Sequence, residues 1–117
     1  MKGSFDSEEA KKYLLEKEKQ EKLARESERK DVLEKSIAVL KKEFEGSSVE
    51  VYLIGSLIKP FAFSLHSDID IVLKNYTEDR FHLWVALEEK IGRKVEIILF
   101  ETCRFQEFVV KEGLKVV

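Results

Sequence analysis

Tyr52-Leu53-Ile54-Gly55-Ser56, then eleven residues, then Asp68-Ile69-Asp70-Ile71-Val72-Leu73: this stretch decides how the chain is read. Residues 49–54 are short, β-branched and almost wholly apolar, the pattern of a buried strand closed by Gly55-Ser56. Residues 68–73 read as a second strand, polar at its start. Alternation puts Asp68 and Asp70 on one face, roughly 6.6 Å apart along the chain, and turns Ile69, Ile71 and Leu73 to the other. Two carboxylates so placed repel unless a cation lies between them, and all-oxygen ligands suit Mg²⁺ or Mn²⁺. A glycine directly after a strand lets backbone amides approach an anion such as phosphate. Ser56 adds a hydroxyl, and Lys59 is the nearest positive charge in the sequence. Gly55, Ser56 and Lys59 are therefore the candidate phosphate-binding residues, and Asp68 and Asp70 the candidate metal ligands.

A third strand is expected over residues 94–100, where Glu96 interrupts an apolar run. If Glu96 shares the face of the two aspartates, it is a third metal ligand and a candidate general base for an attacking hydroxyl. A helix capped by Thr77 is expected to run to Ile91, with Phe81, Trp84, Leu87 and Ile91 inward, and to stop at Gly92. A shorter helix around residues 104–111 would turn Phe105, Phe108 and Val109 inward before Gly113. Residues 114–117 are a tail or a short last strand. Residues 57–66 read as one helical turn and a loop around Pro60; Phe61, Phe63 and Trp84 are expected in the core. His66 and His82 read as surface or loop residues, and Cys103 as a structural residue.

Upstream, the composition changes. Residues 1–46 hold 12 basic and 12 acidic side chains, whereas residues 47–117 hold 9 and 11 and most of the apolar content. From Ser7 to Phe44 there is neither Pro nor Gly, and Glu, Lys, Leu, Ala and Arg predominate, so one long helix is expected. Leu33, Ile37, Leu40 and Phe44 give its last turns an apolar stripe. Tyr13, Leu14 and Leu15 form a separate cluster beyond a polar stretch, and the intervening half is expected to project into solvent or to meet another chain, a homodimer included. The organisation is thus a charged N-terminal helix, residues 1–46, whose C-terminal half packs on a core of residues 47–117. The class is α+β: a small mixed sheet with flanking helices.

Composition bounds the function. With 117 residues the chain forms one domain. A net charge of −2 argues against a protein that coats nucleic acid. One cysteine leaves no internal disulfide, and no apolar run approaches the length of a membrane span, so a cytoplasmic protein is expected.

The residues YLIGSLIKPFAFSLHSDIDIVL, followed by KVEIILFE, resemble the minimal nucleotidyltransferases of the DNA polymerase beta superfamily. Gly55, Ser56, Asp68 and Asp70 match that family's signature, and Glu96 falls where its third acid stands. The resemblance implies a nucleotidyltransferase fold and Mg²⁺. It also implies transfer of a nucleoside monophosphate, AMP from ATP, to an acceptor hydroxyl. Many small members act beside a helical HEPN-type protein, some as the antitoxin that adds AMP to it. Two departures stand out: Leu57-Ile58-Lys59-Pro60 replaces the usual small residue and Arg-Gly, and Glu96 is longer than the usual Asp. The competing expectation is a transferase-fold binding module, weakly active or inactive, that neutralises a partner by contact.

Overall fold

The computed structural model describes residues 7–117. Helix α1 (Ser7–Glu43) is followed by strand β1 (Glu50–Ile54) and a 3₁₀ turn (Gly55–Ile58). Strand β2 (Ile69–Lys74), helix α2 (Arg80–Ile91), strand β3 (Val95–Leu99), a second 3₁₀ turn (Phe100–Thr102), helix α3 (Gln106–Glu112) and strand β4 (Leu114–Lys115) complete it. The sheet runs β3-β2-β1-β4. β1 is antiparallel to both β2 and β4, and β2 is parallel to β3. The α+β class expected from the sequence is what the chain adopts, and of the two readings of residues 114–117 the short last strand holds, over Leu114–Lys115.

Strand alternation divides the sheet into two faces. Val51, Leu53, Ile69, Ile71, Leu73, Val95 and Ile97 join the main core with Leu40, Phe44, Leu83, Leu87 and Ile91 of α1 and α2. Tyr52, Ile54 and Val72 face the other way and pack with Val109 of α3. Asp70 alternates with Ile69 and Ile71, so it shares the face on which α3 lies.

Several facings differ from expectation. The N-cap of α2 is Asp79, whose carboxylate accepts the Phe81 amide, and not Thr77. The buried stripe is Leu83, Leu87 and Ile91, a 4-4 step. Phe81 lies two residues, about 200°, round the helix from Leu83, so it points outward and is 71% exposed. Trp84, at about 100°, packs only on the flank. Around α3 only Val109 is buried; Phe105 caps the helix, and it and Phe108 stay largely exposed, edge to face with one another. Phe63 is in the core as expected, but Phe61 takes a left-handed backbone conformation in the loop and is exposed.

Helix α1 behaves as two segments. Residues 7–25 are exposed apart from a half-buried Ala10, and Tyr13, Leu14 and Leu15 lie open on it. Packing begins at Glu26, seven residues before the expected apolar stripe. Glu26 and Arg29 are both buried. Leu40 and Phe44 are buried as expected, with Leu33 and Ile37 partly so. Among the described residues no helix is long and apolar enough to cross a membrane.

Candidate functional site

The C-terminal end of β1 and the N-terminal ends of β2 and β3 lie at one end of the sheet, because β1 is antiparallel and β3 parallel to β2. Register then does the rest. Asp70 stands opposite Ile54 on one side and opposite Glu96 on the other. Asp68 lies one residue before β2, and the Ile69 amide donates to the Lys94 carbonyl at 3.0 Å, fixing the start of the parallel pair.

Gly55 follows directly, with φ +83°. A Cβ there would fall 2.5 Å from Asp70 Oδ2. The left-handed backbone favours glycine, and a side chain there would also displace the Asp70 carboxylate. The sequence motif thus has a spatial meaning, since the Gly55-Ser56 turn lies directly on the second aspartate. Ser56 is half-buried in the same turn. Lys59 is exposed at the end of the 3₁₀ turn, its amide bonded to the Ser56 carbonyl.

Asp70 is the electrostatic centre of the group. Partial burial, then the charges of Glu96 and Asp68, then a hydrogen bond with Glu96, push its carboxyl up to about 6. Of the expected carboxylates, Asp70 and Glu96 are in contact, while Asp68 acts on Asp70 through its charge. Asp68 and Glu96 are exposed. Glu96 is therefore no buried acid in an apolar run: β3 is an edge strand, and the side chain that alternates away from Val95 and Ile97 reaches water. Among the described residues no group of three or more His, Cys, Asp or Glu side chains is arranged to hold a metal ion. By donor chemistry the pair suits a hard divalent cation: carboxylate oxygens, one with a raised proton affinity, beside a turn whose glycine admits close approach.

The loop between Gly55 and Asp68 is tied down by residues the sequence reading passed over. Arg29 donates from Nε to Glu26 Oε1 and from Nη1 to the Leu57 carbonyl at 2.8 Å. Glu26 Oε2 accepts the Phe61 amide. Burial pushes the Glu26 carboxyl up, but the Phe61 amide and Arg29 outweigh it and hold it below its ordinary range. Further along, Arg93 donates to the Ser64 and Leu65 carbonyls at 3.1 and 3.2 Å and pairs with Glu28 of α1 at 2.9 Å. Its guanidinium also lies 4.4 Å from the centre of the Phe63 ring. A groove of about 420 Å³ beside this loop is lined by His66, Asp68, Arg93 and Lys94 among others.

A larger concavity, about 730 Å³, lies at the opposite end of β2 around Tyr76, Asp79 and His82. There Tyr76 donates to the Asp79 carbonyl, and the Asp79 carboxylate accepts the Phe81 amide and meets His82. Its Tyr76, Asp79 and His82 side chains are thus bonded locally, and size alone does not make it the site. The exposure of both histidines agrees with the surface reading.

No family model matches this chain, and no curated protein matches it either.

Proposed function

We propose that the chain is a metal-dependent nucleotidyltransferase that transfers a nucleoside monophosphate, AMP from ATP, to a hydroxyl of a partner protein. The observation that carries this reading is the convergence on Asp70: Glu96 in register beside it, Asp68 two residues away, and Gly55 pressed against its carboxylate. A raised carboxyl among like charges at a glycine turn is a recurrent mark of a functional centre.

Asp70 and Glu96 would hold Mg²⁺ or Mn²⁺, joined by Asp68. Bound there, a divalent cation would polarise phosphoryl oxygens and offset the charge developing on the leaving group. The Gly55-Ser56 turn holds the triphosphate through backbone amides and the Ser56 hydroxyl, and Lys59 supplies a positive charge to its outer phosphates. The acceptor hydroxyl oxygen bonds to the α-phosphorus as the bond to the bridging oxygen breaks, and pyrophosphate leaves. Glu96, exposed at the strand edge, takes the hydroxyl proton. A helical HEPN-type protein is the partner class proposed, on the sequence resemblance alone.

The test is direct. With Mg²⁺ and ATP labelled at the α-phosphate, label moves to the protein encoded beside this one. Asp70→Asn abolishes it. Transfer by Asp70→Asn at the wild-type rate, or no transfer by the wild type, overturns the proposal. The exposure of Tyr13, Leu14 and Leu15 favours a second reading, a module that neutralises its partner by contact. That reading requires neutralisation to persist in Asp70→Asn and to be lost when residues 1–20 are removed.

A further inference from the structure

The interior of α1 contains an arrangement that its packing alone does not require. Glu26 and Arg29 are charged, yet they are buried where the helix first meets the domain. They do not form an isolated pair. Each carries a bond to the loop after Gly55: Arg29 to the Leu57 carbonyl and Glu26 to the Phe61 amide. The two bonds bracket Lys59. Two residues on from Glu26, Glu28 reaches Arg93, which in turn holds the Ser64 and Leu65 carbonyls and, at 3.4 Å, that of Ser67. One stretch of four helical residues therefore fixes both ends of the segment between the glycine turn and Asp68.

That segment has little else to hold it. It contains one 3₁₀ turn and short turn bonds, Lys59 to Ser56 and Ala62 to Lys59 among them. Leu57 and Phe63 anchor it by burial, while Phe61 and Leu65 point outward. A loop that presents a phosphate-binding lysine must be held in place before ligand arrives, because ordering it on binding weakens affinity. Buried charge pairs are costly unless each lone pair and proton is satisfied. Here the satisfaction comes from the loop backbone itself, so helix and loop conformations are linked.

We propose that Glu26 and Arg29, seconded by Glu28–Arg93, are positioning residues: they clamp the loop of residues 57–67 onto α1 and so set the affinity for the nucleoside triphosphate. This rests on the nucleotidyltransferase reading and adds to it that the long helix is part of the substrate-binding apparatus, through its middle and not its free end. Neither residue touches the reacting atoms. Loss of the clamp should therefore weaken triphosphate binding and leave turnover at saturation nearly intact.

The experiment uses the full chain with Glu26→Ala, Arg29→Met and the conservative Glu26→Gln, which keeps an acceptor for the Phe61 amide. Amide hydrogen exchange is followed by mass spectrometry, and Mg²⁺-ATP binding and transfer are measured in parallel. In Glu26→Ala and Arg29→Met, exchange over residues 57–67 accelerates about tenfold, the scale of one lost hydrogen bond, while amides of β1 and β2 keep wild-type protection. KM for Mg²⁺-ATP rises about tenfold with kcat within about threefold, and Glu26→Gln, which keeps the Phe61 bond but loses the Arg29 pair, falls between Glu26→Ala and wild type in KM. Exchange that is unchanged in the loop, or faster throughout the sheet, overturns the clamp. A loosened loop with unaltered nucleotide affinity overturns its link to the triphosphate. Failure of the wild type itself to bind Mg²⁺-ATP overturns the underlying functional reading, and is separable because it appears before any substitution is made.

Discussion

Two carboxylates border the loop that follows Gly55, and they are held in opposite ways. Glu26, on the helix side, is buried with an arginine, a backbone amide and no like charge among its bonded partners; its carboxyl sits below the ordinary range. Asp70, on the sheet side, faces Glu96 and Asp68 and is raised to about 6. Proteins tolerate charge away from water when it is answered by neighbours. The Glu26 site is answered from within the chain. Among the described residues, the charges that act on Asp70 are like charges. The contrast separates a carboxylate answered by its neighbours from one crowded by other acids, although both lie beside the same loop.

The largest expected effect breaks or confirms that contrast at Asp70. Asp70→Asn removes a ligand from the proposed metal pair, and transfer should fall at least about a thousandfold, because such ligation and its electrostatics contribute several kcal/mol. The same substitution should stabilise the fold at pH 7 by on the order of 1 kcal/mol, discounted for the partial exposure of the group. Labelled transfer and urea unfolding measure the two. Full activity together with loss of stability would place Asp70 with Glu26, as a structural acid.

Gly55→Ala comes next. An alanine at φ +83° is strained, and its Cβ must push the Asp70 carboxylate aside. Destabilisation of about 1–2 kcal/mol is expected from the backbone alone. The distinguishing measurement is the rise in melting temperature produced by Mg²⁺, which should shrink in the variant because the displaced carboxylate no longer faces Glu96. An undiminished Mg²⁺ effect would remove Gly55 from the site.

The pH dependence sharpens the comparison with smaller changes of opposite sign. The folded-state value of Asp70 is raised, so its contribution is fully present below about pH 4 and is lost as pH climbs through about 6. Urea unfolding of wild type and Asp70→Asn should therefore diverge between those limits, the variant being the more stable at the upper one. Glu26 is lowered, so its contribution is present above the ordinary value of 4.5 and is lost as pH falls through its folded-state value. Glu26→Gln should be less stable than wild type at pH 7 and approach it in acid. Matching signs in the two series would dissolve the distinction.

What the sequence disclosed follows the same division. Asp70 was legible because strand alternation is a local rule, and its place between Ile69 and Ile71 survives in the fold, whereas Asp68 lies one residue before β2. Glu96 was legible as a candidate only, since its pairing with Asp70 depends on a parallel register made by the crossover through α2. Its exposure could not be read from the apolar run, which does not say which strand lies at the edge. Glu26 and Arg29 look like any solvated helical pair, and their partners lie 28 and 35 residues away. One signal was available: Arg29, Leu33, Ser36 and Leu40 step 4, 3, 4, so the buried stripe continues through polar residues. Phe81 was placed inward by its spacing to Trp84, Leu87 and Ile91, and Phe105 and Phe108 beside Val109, whereas helix phase and the capping residues Asp79 and Phe105 determined otherwise.

The smallest effect expected is from removing residues 1–20. In the folded chain residues 7–20 are exposed but for a half-buried Ala10, and the packing of α1 begins only at Glu26. A helix without tertiary support is marginal in water and persists here as the extension of an anchored one. Its removal should lower helical ellipticity in proportion to length yet change the unfolding free energy by less than about 0.5 kcal/mol, the scale of surface changes. Both carboxylate sites, and the clamp on residues 57–67, should be untouched. A loss above about 2 kcal/mol, or a wild-type midpoint that rises with protein concentration while the truncated chain's does not, would mean that Tyr13, Leu14 and Leu15 are covered by a second chain in solution. The free half of α1 would then be an interface, and the division of the helix into a working half and a projecting half would have to be redrawn.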